Sequence, residues 1–306
     1  MKHSERRMIG GFVAPIVLVY LLIFLYPTVR TVYMSFFKLK NLAAPVSDWE
    51  FVGLDNYIKL FSSPLVMQAF SNIIKIAFVG GVGTFIVALF FAVVLSSKVR
   101  GKKLLRAIVY LPNLITPVAM VTMWTQYIYN NEYGLLHNLF KALHLNWLAD
   151  IPWTSTEWAF RSMLIAFCFG SVGYYMVIFM SAMEKIPQDL YDYAGMEGAG
   201  KLQMFWRITM PLLKDTTKTA VTFWGIGAVN FFLWSRVFST NPLEPSTIVP
   251  ANYMFGMVFG GSSSGASNAS MLNVGGGCAM GVLLTLCVVL IFFVVNLICG
   301  NEKYEY

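Results

Sequence analysis

The chain alternates long uncharged apolar runs with short stretches that hold nearly all of its charge. The runs are Met8–Val29, Ile76–Ser97, Ala107–Asn131, Ser162–Met183, Thr219–Ser235 and Gly275–Gly300. Each meets or approaches the ~20 residues that a helix, rising about 1.5 Å per residue, needs to cross roughly 30 Å of hydrocarbon. A backbone in lipid has to satisfy its own hydrogen bonds. The pattern therefore predicts an all-α polytopic membrane protein with six transmembrane helices. The fifth run is the shortest, bracketed by Lys218 and Arg236, whose long side chains can reach the headgroups. The first run exceeds the apolar core of a signal peptide, about 7–15 residues, and shows no small-residue cleavage site, so it is expected to be retained.

Composition sharpens this picture. Of 306 residues, 57% are hydrophobic and 12% charged, against roughly a quarter charged in an ordinary soluble domain. That is too little charge to cover a soluble surface. The net charge of +7 is not a nucleic-acid footprint, because the basic residues cluster beside apolar runs. Lys2, Arg6, Arg7, the Lys98–Arg106 connection, the connection from Lys185 to Lys218, and Lys303 share one side, fourteen cations against eight. Cytoplasmic loops carry the excess of Lys and Arg, so both termini are expected to be cytoplasmic. Cys168, Cys278, Cys287 and Cys299 lie in apolar stretches without metal-ligand spacing and read as small packing residues. Residues 37–70 and 132–157 mix turn formers with Trp, Tyr and acids, consistent with short interfacial helices, and Gly260–Ser270 is a Gly/Ser loop. Nothing marks a second soluble domain, so residues 1–306 are expected to form a single transmembrane domain.

The connection spanning residues 184–215 is richer than a plain loop. Pro187 can open a short helix, and Gly198 and Gly200 permit a bend. A second short helix is expected from about Ala199 to Thr209, before Pro211 interrupts it. There Leu202, Phe205, Trp206 and Thr209 recur at helical spacing and form one largely apolar face. Such a helix–turn–helix suits either a groove on another protein or the membrane surface. Asp189, Asp192 and Glu197 tilt the reading toward a protein, since the inner leaflet is itself anionic.

Asp192-Tyr193-Ala194, then Gly198, then Ile208, Met210 and Pro211 resemble the EAA loop of ABC-importer permeases, with Tyr193 departing from the usual alanine. The run Ile186–Ala199 resembles the carbohydrate branch of that family, as do Phe51–Tyr57 (FVGLDNY), Arg100–Pro112 and Asn131–Leu139. The likeness covers nearly the whole chain in the expected order and points to the maltose and glycerol-phosphate type. It implies a permease subunit of an ATP-driven sugar importer in the bacterial inner membrane. Its implied partners are a sister permease, a dimer of ATPase subunits, and an extracellular or periplasmic solute-binding protein. The chain itself would bind no cofactor, ATP and magnesium being held by the ATPases. By the same resemblance, Asp192, Ala194, Glu197, Gly198, Ala199, Leu202, Phe205 and Trp206 form the ATPase-coupling set. Asp192 would make a charged contact, Gly198 the bend, and the apolar face would enter the ATPase cleft. A membrane scaffold or receptor without transport activity is the alternative reading.

Catalytic constellations are missing. The histidines are His3, His137 and His144, and the serines within the fourth run (Ser162, Ser171, Ser181) have no Lys or His at reachable depth. Gly195–Lys201 (GMEGAGK) imitates a phosphate loop, but Leu202 replaces the magnesium-binding Ser or Thr and no buried strand precedes it. For a substrate path the candidates are Gly170, Ser171 and Tyr174 in the fourth run, with Asn230 and Trp234 in the fifth. Hydroxyls, amides and aromatic rings suit a sugar, and the family resemblance implies contacts at similar depth. Small residues for helix packing and aromatic interface belts explain the same pattern equally simply.

Overall fold

The computed structural model describes residues 3–39, 45–97, 99–239, 241, 243–260 and 272–300, with side chains from residue 11 onward except that of Cys299. Lys2, Lys40, Lys98, Lys303 and all of the Gly/Ser stretch except Gly260 lie outside the described residues. Helix dominates. Strand pairing among the described residues is confined to β1 (Phe37–Lys38) and β2 (Glu50–Phe51), antiparallel with Phe37 opposite Phe51.

Among the described residues, four helices are long and apolar enough to cross a membrane: α1 (Gly11–Met34), α3 (Pro64–Ser96), α8 (Ala159–Met183) and α14 (Val274–Ile298). Two further runs are broken. α4 (Lys102–Leu114) meets α5 (Pro117–Ile128) at 100°, and α11 (Lys214–Val229) meets α12 (Phe232–Phe238) at 46°. The described residues thus hold four candidate spans, or six if each bent pair counts as one.

The run Ala107–Asn131, expected as one helix, is interrupted for a local reason. A residue before proline is pushed out of helical conformation, and Thr116 accordingly has ψ 147° ahead of Pro117, with Ile115 also extended at ψ 133°. The run Thr219–Ser235 breaks without a proline. Asn230 and Phe231 leave the helix at ψ 27° and 21°. Phe231 is buried, with its ring centroid 4.7 Å from that of Phe167 on α8, so packing holds this bend. The second run begins earlier than expected, at Pro64, and α13 (Pro250–Phe259) is a helix the apolar pattern does not announce. Short helices α2 (Asp55–Ser62), α6 (Leu135–Ala142) and α7 (Asn146–Ala149) occupy the segments expected to hold them.

Contacts divide the chain into two units, residues 1–66 with 253–286 and residues 67–252 with 287–306. In the first unit, buried Asn56 of the Phe51–Tyr57 motif acts as a clamp. Its Nδ2 donates to the carbonyls of Ser35 (2.8 Å) and Phe37 (2.9 Å), holding the chain that leaves α1 against α2. Val274 N–H donates to Leu39 O at 2.7 Å, tying the start of α14 to the same segment.

The second unit is organised around α8. Ala88, Ala92 and Leu95 of α3 pack against Val172, Tyr175, Met176 and Phe179 of α8, with Trp224 of α11 in the same cluster. Small residues matter here because lipid tails offer no hydrophobic drive for helix association, so close packing has to supply it. A Cβ on Gly81 would stand 2.7 Å from Trp224 Nε1. A π-type turn at Ile76–Gly80 puts the Ala77 carbonyl 2.9 Å from that Nε1, which donates to it. At Gly173 of α8 a Cβ would fall 2.4 Å from Val109 O, so α4 crosses α8 backbone to side-chain-free backbone.

Candidate functional site

The connection after α8 folds as a helical hairpin. α9 (Gln188–Met196) starts after Pro187, whose missing N–H costs nothing at a helix entrance. It ends in a Schellman motif. Gly198 N–H donates to Gly195 O (3.1 Å) and Ala199 N–H to Ala194 O (2.9 Å), with Gly198 left-handed at φ +77°. The second arm, α10, runs through Lys201–Met204, a π-type turn at Phe205–Thr209, and Met210–Leu212.

The sequence predicts that Pro211 interrupts this arm, yet the helix continues through it to Leu212. In a regular helix its absent N–H would leave a carbonyl unpaired and its ring would clash one turn back. The π-type turn takes up the change of register: Met210 N–H bonds Phe205 O, five residues back. The arm ends only at Leu213, which is fully buried.

The hairpin is tied across its two arms. Tyr191 OH and Thr209 Oγ1 lie 2.9 Å apart, and the Met204 methyl packs near Gly195, 3.7 Å from where a Cβ would stand. The expected apolar face of α10 divides in two. Phe205 is half-buried against the α8 core and Thr209 is buried, whereas Leu202 and Trp206 are 72% and 60% exposed. On α9, Tyr193 and Met196 are likewise 65% and 74% exposed. The apolar face read from the sequence does not include these two, whose only signal there is a spacing of three residues on a helix. Asp192 and Glu197 are exposed, Ala194 and Ala199 half-buried, and Gly198 exposed at the bend. Asp192 Oδ1 accepts from Gln188 Nε2 at 3.2 Å, one turn back. Exposed large apolar side chains grouped on a tied hairpin are the usual mark of a protein or membrane contact.

Gly195–Lys201 is a helix end and a turn, with helix on both sides. Its backbone N–H groups at 198 and 199 are spent on the helix cap, not left to cradle a phosphate.

The candidate path residues are partly brought together. Gly170 faces Met120 of α5 and Trp234 of α12, which a Cβ would approach at 3.7 and 3.9 Å. Trp234 packs edge-on to Phe167 (5.3 Å) and stacks beside Phe231 (6.3 Å). Ser171 Oγ donates to Phe167 O at 2.9 Å, which leaves only acceptor capacity on its hydroxyl. Tyr174 is exposed and packs edge-on to Tyr175, while Asn230 is exposed at the break between α11 and α12. Nearby, Asn113 Nδ2 reaches Gly170 O at 3.4 Å. Gly170, Trp234 and the two helix breaks therefore form one locale.

Comparison with known proteins bears on what this arrangement is for. The profile of the family described as "Binding-protein-dependent transport system inner membrane component" matches residues 84–300. The diacetylchitobiose uptake system permease protein NgcF of Streptomyces coelicolor is 28% identical over 84% of this chain and 74% of its own length. The probable ABC transporter permease protein YurN of Bacillus subtilis is 32% identical over 70% of this chain and 73% of its own. Among solved structures, a chain of a bacterial ABC transporter involved in import of the acidic polysaccharide alginate superposes with a TM-score of 0.78 at 18% identity. That match covers 97% of this chain and 96% of the other.

Proposed function

The chain belongs to the inner membrane components of binding-protein-dependent transport systems, and from that premise we propose that its cargo is a sugar or oligosaccharide. It is a permease subunit and not itself an enzyme. ATP hydrolysis falls to partner subunits, which would hold the nucleotide and its magnesium. Support for a saccharide comes from the relative whose name specifies diacetylchitobiose uptake, matched over most of both chains.

In this reading each bent pair counts as one span, giving six with both termini in the cytoplasm and one transmembrane domain over the whole chain. The fourteen cations concentrated on one side support that orientation. The hairpin within residues 184–215 is the EAA-type coupling element. Leu202, Trp206, Tyr193 and Met196 offer apolar surface to an ATPase cleft, Phe205 anchors the second arm, and Asp192 and Glu197 supply charged contacts. Gly198, with Ala194 and Ala199 on either side, fixes the bend. Closure of an ATPase dimer would draw two such hairpins together and reorient the spans, a switch between two states of one assembly. Gly170, Ser171, Tyr174, Asn230 and Trp234 are the proposed substrate path.

The observation that carries the coupling role is the exposed apolar patch on a hairpin held by its own cap and cross-tie. Gentle-detergent affinity purification from the native host tests it, with the co-purifying subunits identified by mass spectrometry. Recovery of an ATPase, a related permease and a solute-binding protein is expected. Recovery of this chain alone, under conditions that preserve other complexes, would undermine the docking role of residues 184–215 and favour the scaffold alternative.

A further inference from the structure

At the end of the helices remote from the hairpin, a cleft of about 650 Å³ opens between the end of α5, the turn that follows it, the start of α8 and the end of α12. Its size is that of an ordinary small-molecule site, about 300–1,000 Å³. Carboxamides (Gln126, Asn130), hydroxyls (Thr125, Thr154) and carboxylates (Glu132, Glu244) line it, and Phe238 contributes an aromatic wall. Among the described residues, no Lys, Arg or His lines it.

Both carboxylates sit on segments that the fold holds firmly. Asn130 Oδ1 accepts from the N–H groups of Glu132 (2.9 Å) and Tyr133 (3.2 Å), closing the turn that presents Glu132. That turn needs a glycine after it, because a Cβ on Gly134 would stand 2.2 Å from Asn130 O. The Asn130 oxygen is spent there, and its NH2 group remains for a solute.

Glu244 lies on a segment clamped by buried Asn72, whose Nδ2 is shared among the carbonyls of Pro245 (3.2 Å), Ser246 (3.2 Å) and Ile248 (2.9 Å). Ser235 Oγ donates to Thr247 O at 2.6 Å and fastens the same segment to α12. Loops held in this way before any ligand arrives cost little to order on binding. The stretch is also continuous with the path residues: Phe238 follows Trp234 by one helical turn, about 6 Å along α12.

We propose that this cleft is an entry subsite for neutral polyhydroxylated solutes that excludes anions. The inference rests on the sugar-import reading and adds the charge class of the cargo. Gln126 can both donate and accept, the Asn130 NH2 can donate, the Thr125 hydroxyl, which donates to Val121 O at 2.9 Å, can accept, and each carboxylate can accept from neighbouring sugar hydroxyls at once. A phosphate or uronate would instead meet two carboxylates with no cation lining the cleft to offset them, and like charges set together at a binding face are strongly disfavoured. The fold does not dictate this choice, since a structural relative at 18% identity imports an acidic polysaccharide.

The test uses the assembled transporter in nanodiscs without its binding protein, and saturation-transfer NMR with maltose and diacetylchitobiose as neutral probes and sn-glycerol 3-phosphate as the anionic one. Saturation transfer to a neutral probe and none to the anion is expected. Gln126→Ala should weaken the neutral contact by roughly three- to tenfold, the worth of one hydrogen bond. The double variant Glu132→Gln/Glu244→Gln, which keeps size and shape, should admit sn-glycerol 3-phosphate. Contact with no neutral probe, equal contact with the anion in the unaltered complex, or neutral contact indifferent to both variants would each overturn the proposal.

ATP-driven uptake into proteoliposomes with the binding protein added separates the two readings. Uptake of a sugar that proceeds while the cleft variants change nothing leaves transport standing and removes the subsite. Variants that impair uptake only through the binding protein, with direct probe contact unchanged, assign the acidic lip to docking and also overturn it. No uptake of any sugar would count against the transport reading itself, whatever the cleft binds.

Discussion

The α8 core and the 184–215 hairpin are both built from apolar side chains and glycines, yet they use them in opposite ways. In the core, Trp224 is 4% exposed, and its ring fills the space that the missing Cβ atoms of Gly80 and Gly81 leave. In the hairpin, Trp206 is 60% exposed, and Gly198 is needed for its left-handed φ, since nothing lies within 4 Å of where its Cβ would be. The core glycines are about distance and the hairpin glycine is about direction. A tryptophan that already has its neighbours stabilises the subunit. One that lacks them is available to another chain.

That contrast can be broken at its strongest point first. Trp224→Ala removes a buried ring packed against Phe85, Phe167 and Tyr175, and also the donor to Ala77 O. A loss of about 3–5 kcal/mol is expected, read as a collapse in detergent-extracted, monodisperse protein. Normal yield and an unchanged melting temperature would mean that the core does not depend on this contact.

Gly173→Ala comes next. Its methyl would press on the Val109 carbonyl at 2.4 Å, and since that neighbour is backbone it cannot swing aside. Overpacking of this kind costs about 1–3 kcal/mol. Thermal unfolding of the purified subunit should shift down accordingly, while Gly170→Ala, with ordinary contacts of 3.7 and 3.9 Å, should shift it much less. Equal shifts would show that the crossing of α4 over α8 is not tight.

These two positions also mark where the sequence stops being legible. The apolar runs, the hairpin, its bend at Gly198 and the short helices between spans can all be read from residue pattern, because each depends on local chemistry. Hydropathy counts apolar residues but carries no direction, so Ala107–Asn131 reads as a single span although Pro117 already makes Thr116 extended. The bend at Asn230 has no such local mark. It depends on Phe231 meeting Phe167, a contact across 64 residues of chain. Asn72 is legible only as a polar residue in an apolar helix, and its role emerges when Pro245, Ser246 and Ile248 arrive at its amide. In the hairpin, Leu202 and Trp206 stand out as a face, but the inward turn of Phe205 requires the α8 core to be present.

The hairpin predictions are smaller in stability and larger in coupling. A side chain at Gly198 costs about 1–2 kcal/mol for the left-handed conformation, and more when β-branched. Gly198→Val is expected to leave a purifiable subunit whose ATP-driven uptake is abolished, because the arms no longer meet at the right angle. Wild-type uptake by that variant would remove the bend from the coupling mechanism.

Trp206→Ala sharpens the comparison most, since it makes the same chemical change as Trp224→Ala at an exposed site. Surface substitutions away from special features fall within about 0.5 kcal/mol, so the melting temperature of the isolated subunit should barely move. Co-purification of the ATPase is nevertheless expected to fall sharply, because buried tryptophans are over-represented among the residues that carry binding energy. Leu202→Ala, on the same exposed side of α10, should act in the same direction more weakly. Full retention of the ATPase by Trp206→Ala, with stability unchanged, would assign this exposed ring to the lipid surface, where an aromatic side chain at the headgroup level needs no protein partner.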